Sequence, residues 1–243
     1  WPSEGRHRWQ LEAGRVAIMC GRYALYGPHS RLRERFGFDD SIPDLPPRFN
    51  VAPSATMPII RQESDGRRTV VLARWGFVPS WAKDPGTAPH PINAKAETAA
   101  IKPMFRQAFR ASRVLVPADC FFEWKAVAGR KLPFLIRMRD QEPFGMGGLV
   151  EYREGSDGIE ATFAILTTNA NPVVAEIHDR MPVIVRPEDY DRWLDPENRD
   201  VESLLPLTGP YPERLMEAYR IDRRINRADA EGADLIEPVE EGG

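Results

Sequence analysis

The stretch Thr69-Val70-Val71-Leu72-Ala73-Arg74-Trp75 decides the fold class. It is rich in β-branched and aliphatic side chains, and Gly76 and Pro79 follow, so it reads as a strand closed by a turn. Runs of the same kind recur on both sides of it, at 114–117, 134–138, 162–167 and 183–185, with Pro or Gly nearby. Helical patterns are fewer. Residues 28–36 and 102–111 place apolar side chains on one side and arginines on the other. Residues 187–194 open with Pro187, Glu188 and Asp189, which suit a helix N-terminus. There is no internal repeat. Strands dominate and helices are interspersed irregularly, which predicts a single α+β domain on a largely antiparallel, barrel-like β-sheet with flanking helices.

A chain of 243 residues can bury a sizeable core, and 42% apolar with 28% charged residues fits a globular protein. No apolar run approaches the ~20 residues that span a bilayer, and residues 1–18 lack the apolar stretch of a signal peptide. The two cysteines, Cys20 and Cys120, provide neither a disulfide framework nor a zinc site, which points to a reducing, cytoplasmic setting. Cys120 reads as a buried small hydrophobe. A formal charge of −3 argues against a protein that coats nucleic acid, yet arginines cluster at 31–35, 106–113 and 220–227. Charge alone leaves DNA binding open.

Met19-Cys20-Gly21-Arg22 stands apart chemically. If translation starts at Met19 and that residue is clipped, Cys20 becomes terminal, with an α-amine and a thiol on adjacent carbons. The amine condenses with an aldehyde to an imine, and the thiolate closes on the same carbon to give a thiazolidine. Reference pKa values of about 8 and about 8.5 leave both groups partly nucleophilic near neutrality. As written, Cys20 is internal and its nitrogen is an amide. Residues 1–18 are therefore expected to be an over-extended gene start or a removable leader.

Further segments mix polar residues with rigid punctuation: Arg48-Phe49-Asn50-Val51-Ala52-Pro53-Ser54, Arg74-Trp75-Gly76-Phe77-Val78-Pro79-Ser80-Trp81, Ile92-Asn93-Ala94-Lys95-Ala96-Glu97-Thr98, Phe121-Phe122-Glu123-Trp124-Lys125 and Ile177-His178-Asp179-Arg180-Met181-Pro182. In this order, with Cys directly after Met, the chain resembles the SRAP family, the SOS-response-associated peptidases or abasic-site processing proteins. The resemblance runs from Met19 to Pro238, with a tail at 239–243. It implies the SRAP fold and covalent capture of abasic sites in single-stranded DNA through a thiazolidine at Cys20, shielding the lesion. It also implies autoproteolytic exposure of that Cys, and an imine that lingers before the thiol closes would allow β-elimination, a weak lyase side activity. The expected partner is single-stranded DNA with abasic sites, bound by a monomer in the cytoplasm or nucleoid without membrane association. No metal or organic cofactor is expected.

Residue chemistry supports separate roles. An abasic deoxyribose is mostly a closed hemiacetal, so releasing its aldehyde needs a proton donor. His178, with a reference pKa near ~6.5, suits that step, although a structural hydrogen-bonding role is also open. Glu123 lies between aromatics, where desolvation raises a carboxyl pKa and suits it to shuttling a proton at the Cys20 amine. Read alone, Glu123 is more simply a surface Glu on an edge strand. Asn93 can donate to the sugar and accept from the amine. Lys95 stands where the family carries Arg, and meets phosphate as a point charge without the bidentate fork. Arg22 is expected to hold phosphate. Arg48 either assists or is structural, and Asn50 lies near the site or in a rigid turn. Trp75 reads as core and Trp81 as an exposed platform for unpaired bases. Two further readings are a Cys–His thiol peptidase or amidase acting on another substrate, and a nucleic-acid-binding module with an incidental Cys20.

Overall fold

The computed structural model describes residues 20–38, 45–82, 87–155 and 158–239; the expected leader at 1–18 and the tail beyond Val239 lie outside them. Among the described residues there are thirteen strands: β1 (Tyr23–Leu25), β2 (Arg48–Val51), β3 (Thr56–Gln62), β4 (Arg68–Trp75), β5 (Asn93–Lys95), β6 (Arg113–Ala118), β7 (Cys120–Val127), β8 (Arg130–Met138), β9 (Phe144–Gly155), β10 (Gly158–Asn169), β11 (Arg180–Pro182), β12 (Ile184–Val185) and β13 (Met216–Arg220). The helices are short: α1 (His29–Phe36), α2 (Ala96–Ala99), α3 (Arg106–Ala111), α4 (Pro172–Ala175), α5 (Tyr190–Leu194) and α6 (Val201–Leu204).

Five strands close on themselves in the order β10-β4-β3-β6-β9 and back to β10. Only the β10–β4 contact is parallel; the other four are antiparallel. The ring leaves no free edge among its own strands. A second sheet, β13-β8-β7-β1-β2, is antiparallel throughout. The α+β, barrel-like expectation therefore holds, and each run read as a strand lies within or overlaps one.

Alternation along β7 shows why the second sheet has two buried faces. Cys120 and Phe122 join Ala24 and Leu135 in a small cluster, while Phe121 points into the main core with Ile136 and Phe144. Glu123 is two residues beyond Phe121 and shares its face. Trp75 is fully buried at the end of β4, stacked on Phe163 at 6.2 Å and edge-on to Tyr23 at 5.3 Å.

Strands β3 and β9 carry residues that usually argue against a strand. Pro58 sits within β3, two residues ahead of the Ile60↔Leu115 pairing to β6, where it withholds no ladder donor from that partner. In β9, a Cβ on Gly148 would stand 3.0 Å from both Val114 and Val116, so the glycine is what lets β6 approach. Helix α1 buries Leu32 and Phe36 and stops at Gly37, whose φ of 63° is left-handed and whose N–H caps Arg33. The 187–194 segment forms as a 3-10 turn at Pro187–Asp189 that runs into α5.

Candidate active site

The end of β10 gathers two separate pieces of chain. On one side β5 runs parallel, pairing Asn93 with Ile165 and Lys95 with Thr167. On the other, β11 runs antiparallel, pairing Arg180 with Asn169. His178 lies two residues ahead of β11. It is held there by the carbonyl of Val174 in α4, which accepts from the His178 amide at 2.9 Å. The strand pairing thus brings Asn93, Lys95 and His178 to one end of the barrel.

The buried Arg180 side chain fastens this arrangement. Its guanidinium donates bidentately to Glu97 of α2, to Asn169 Oδ1 at 2.8 Å and to the Thr167 carbonyl at 2.6 Å. One planar fork thereby joins the helix after Lys95 to the strand after His178. The pairing holds the Glu97 carboxyl below its ordinary range. Neither residue received a role from sequence reasoning, although both stood in the quoted segments. The available signal was an acid and an arginine of opposite charge, each within four residues of a candidate site residue.

Cys20 approaches from the second sheet. Beyond the Tyr23↔Phe121 pairing, the Arg22 carbonyl accepts from the Phe122 amide at 3.0 Å, and the chain reaches Cys20 beside Glu123. There the Cys20 nitrogen donates to Glu123 Oε1 at 2.7 Å. Cys20 has φ of 45°, a left-handed conformation that costs a residue with a side chain about 1–2 kcal/mol. Both side chains are buried, at 1% exposure for Cys20 and 2% for Glu123. The surface-Glu reading of Glu123 is thereby removed.

Burial pushes the Glu123 carboxyl up to about 8, and the charge of Asp179 adds to the rise, against the Cys20 and Trp124 amides and Lys131. Asp179 is therefore close enough to Glu123 for the two acids to interact, which links the His178 turn to Cys20. Burial, and then the charge of Glu123, hold the Cys20 thiol well above its ordinary range.

His178 Nδ1 accepts the Arg180 amide at 3.1 Å, so the neutral ring carries its proton on Nε2. Asp179 Oδ1 is also 3.0 Å from Nδ1, a contact that becomes favourable only when Nδ1 gains a proton.

The expected DNA-contact residues separate into two groups. Trp81 is 64% exposed and Lys95 is exposed. Their loops run together, since the Phe77 amide donates to the Pro91 carbonyl at 3.0 Å just ahead of Asn93. Arg22 is half-buried and donates to Asn50 Oδ1 and the Ile225 carbonyl, each at 2.8 Å. Asn50 is fully buried, and its amide donates to the carbonyls of Arg227 at 2.8 Å and Ala230 at 3.0 Å. It braces the 223–230 segment beneath Arg22 and has no surface of its own to offer a strand. Arg48 pairs with Glu231 at 2.9 Å. Among the described residues, no group of three or more His, Cys, Asp or Glu is placed to hold a metal, and no helix is long and apolar enough to cross a membrane.

The chain is similar to several known proteins. The abasic site processing protein YoqW of Bacillus subtilis is 37% identical over 223 residues, covering 90% of this chain and 99% of its own. YedK of Escherichia coli, also named an abasic site processing protein, is 31% identical over 91% of this chain and 100% of its own. A solved protein from Bacteroides thetaiotaomicron superposes with a TM-score of 0.82 at 24% identity, over 91% of this chain and 100% of that one, and shares the fold. The family model for SOS response associated peptidase (SRAP) matches residues 19–228, and the chain belongs to that family.

Proposed function

We propose that this protein processes abasic sites in single-stranded DNA by forming a thiazolidine through Cys20. The observation that carries this reading is the 2.7 Å contact between the Cys20 nitrogen and Glu123 Oε1. Once Met19 and everything before it are removed, that nitrogen is a primary amine already seated on a buried carboxyl. Burial has lifted the carboxyl to about 8, close to the ~8 of an α-amine, so a proton passes between them with little penalty.

The steps balance as follows. His178 Nε2–H protonates the ring oxygen of the closed sugar while the C1′ hydroxyl gives its proton to water, from which the imidazole regains its own, and the aldehyde opens. The Cys20 amine adds to C1′ and one of its protons moves to the oxygen; the Glu123 carboxyl then gives its own proton to that hydroxyl, which leaves as water from an iminium. The Cys20 thiol then adds its sulfur to the iminium carbon and passes its proton to the Glu123 carboxylate, which is thereby restored. The net change is aldehyde plus amine plus thiol to thiazolidine plus one water. Asn93 orients the sugar, Lys95 and Arg22 face phosphate, and Trp81 stacks on an unpaired base. If the imine persists before the thiol closes, β-elimination cuts the strand, which gives a weak lyase activity.

The elevated thiol pKa also bears on the peptidase reading. A thiol peptidase works with a thiolate of lowered pKa, whereas here burial and Glu123 keep the proton on sulfur. A thiol that must wait for the iminium suits ordered ring closure better. An abasic oligonucleotide mixed with protein beginning at Cys20 tests the proposal. A slow-migrating band that survives boiling in detergent is expected with the wild type and lost in Cys20→Ala. The same band in Cys20→Ala would defeat it.

A further inference from the structure

Trp81 is carried on a loop, and two side chains of the barrel that the chemistry above does not use hold that loop. Strands β9 and β10 place Glu151 directly opposite Thr162. Thr162 is buried, and its Oγ1 accepts from the Val78 amide at 3.0 Å. The Glu151 carboxylate accepts both the hydroxyl and the backbone N–H of Ser80. One cross-strand pair therefore anchors the loop at two points, and the second lies one residue before Trp81.

Residues 76–82 of the loop make further contacts. Gly76, with φ of 139°, donates to the Phe163 carbonyl at 2.9 Å, and the side chains of Phe77 and Val78 are fully buried. The Ala82 amide closes a turn onto the Pro79 carbonyl at 3.0 Å. What projects from this braced turn is the indole of Trp81, 64% exposed. A large apolar ring held out in water by a half-buried carboxylate serves no packing purpose in the free protein. A rigid ring does lower the entropy lost when a flat partner lands on it.

We propose that Glu151 is a positioning residue for Trp81, fixing the indole through Ser80 as a preformed platform for a base adjoining the lesion. The favoured substrate is then an abasic strand with an aromatic base beside the gap, over one flanked by base-less spacers. The proposal rests on the reading of Trp81 as a DNA contact.

The test is crosslinking rate against concentration for two abasic oligonucleotides, one flanked by purines and one by base-less spacers. Wild type is expected to half-saturate at an about tenfold lower concentration of the purine-flanked strand, given the worth of one stacked base. Trp81→Ala removes that preference. Glu151→Ala removes most of it, acting on the half-saturating concentration rather than the saturating rate. Glu151→Gln, which keeps acceptor oxygen near Ser80, restores most of it. The double variant is no weaker than Trp81→Ala alone. If Trp81→Ala loses the preference while Glu151→Ala keeps it, Glu151 does not position the ring and the stacking reading stands. Additive losses in the double variant, or a fall in saturating rate for Glu151→Gln, overturn the proposal in the same way. If Trp81→Ala keeps the preference, the stacking reading fails and takes this proposal with it.

Discussion

Glu123 shows what one residue gains from its surroundings. An ordinary carboxyl titrates near 4.5, and burial under the second sheet moves this one to about 8. Its proton therefore contributes stability that is complete below about pH 4.5 and lost as pH rises through about 8. Glu123→Gln is expected to remove that dependence. Its urea midpoint should exceed that of the wild type at pH 9 by on the order of 4 kcal/mol in stability, with a much smaller gap at pH 5. Wild type and variant losing stability in parallel between those pH values would mean that the carboxyl is not buried as described. The same variant should slow crosslinking by about a hundredfold or more. Asp179→Asn removes a negative charge that raises Glu123, so the Glu123-dependent limb of the pH–rate profile should move to lower pH. A limb that stays in place or moves upward would show that Asp179 and Glu123 do not interact. At this scale Cys20 stood out locally as a nucleophile after Met, whereas the proposed roles of Glu123 and His178 came from the family resemblance, since an acid among aromatics and a histidine in a polar turn each had a structural reading of their own. The sequence did not disclose that Asn50 is buried under the 223–230 segment, since that depends on a contact across 177 residues.

Among the elements, the β7–β8 hairpin has a two-residue turn at Ala128 and Gly129, with φ of 48° and 75°. Both positions demand left-handed backbone, which Asn or Gly adopts more readily than Ala. Ala128→Asn should stabilise the protein by about 0.5–1 kcal/mol in chemical denaturation, and a loss of stability would contradict the turn. The opposite sign is expected in β9. Gly148→Ala would bring a methyl within 3.0 Å of Val114 and Val116 and should cost about 1–3 kcal/mol. Strands rich in Val and Ile were legible from composition. Strand β9 was not, because glycine reads as a turn until the neighbouring strand that needs its missing side chain is known. Strand β3 was masked by Pro58 in the same way.

At the scale of the whole molecule, two sheets divide the proposed site between them. The barrel end supplies Asn93, Lys95 and His178, and the second sheet supplies Cys20 and Glu123. The sequence foretold a barrel-like α+β domain but not this division, which depends on the closure of β9 onto β10 and on Arg180 spanning β10, β11 and α2. Because the formal charge is −3, phosphate attraction comes from a few local cations rather than from the molecule as a whole. A plot of log affinity against log salt for an abasic single strand should therefore have a shallow slope of about −1 to −2. A slope several times steeper would imply a longer basic track than the site presents.

The central claim is that Cys20 reacts as an N-terminal residue, using both its nitrogen and its sulfur on one carbon. Intact-mass measurement of the product with an abasic oligonucleotide tests it most directly, comparing protein that begins at Cys20 with protein that retains Met19. The account predicts an adduct only for the first, at the summed mass less one water, with no reductant added and with the Cys20 thiol no longer open to alkylation. An equal adduct on the Met19-bearing chain, or one whose Cys20 thiol still alkylates, would contradict it.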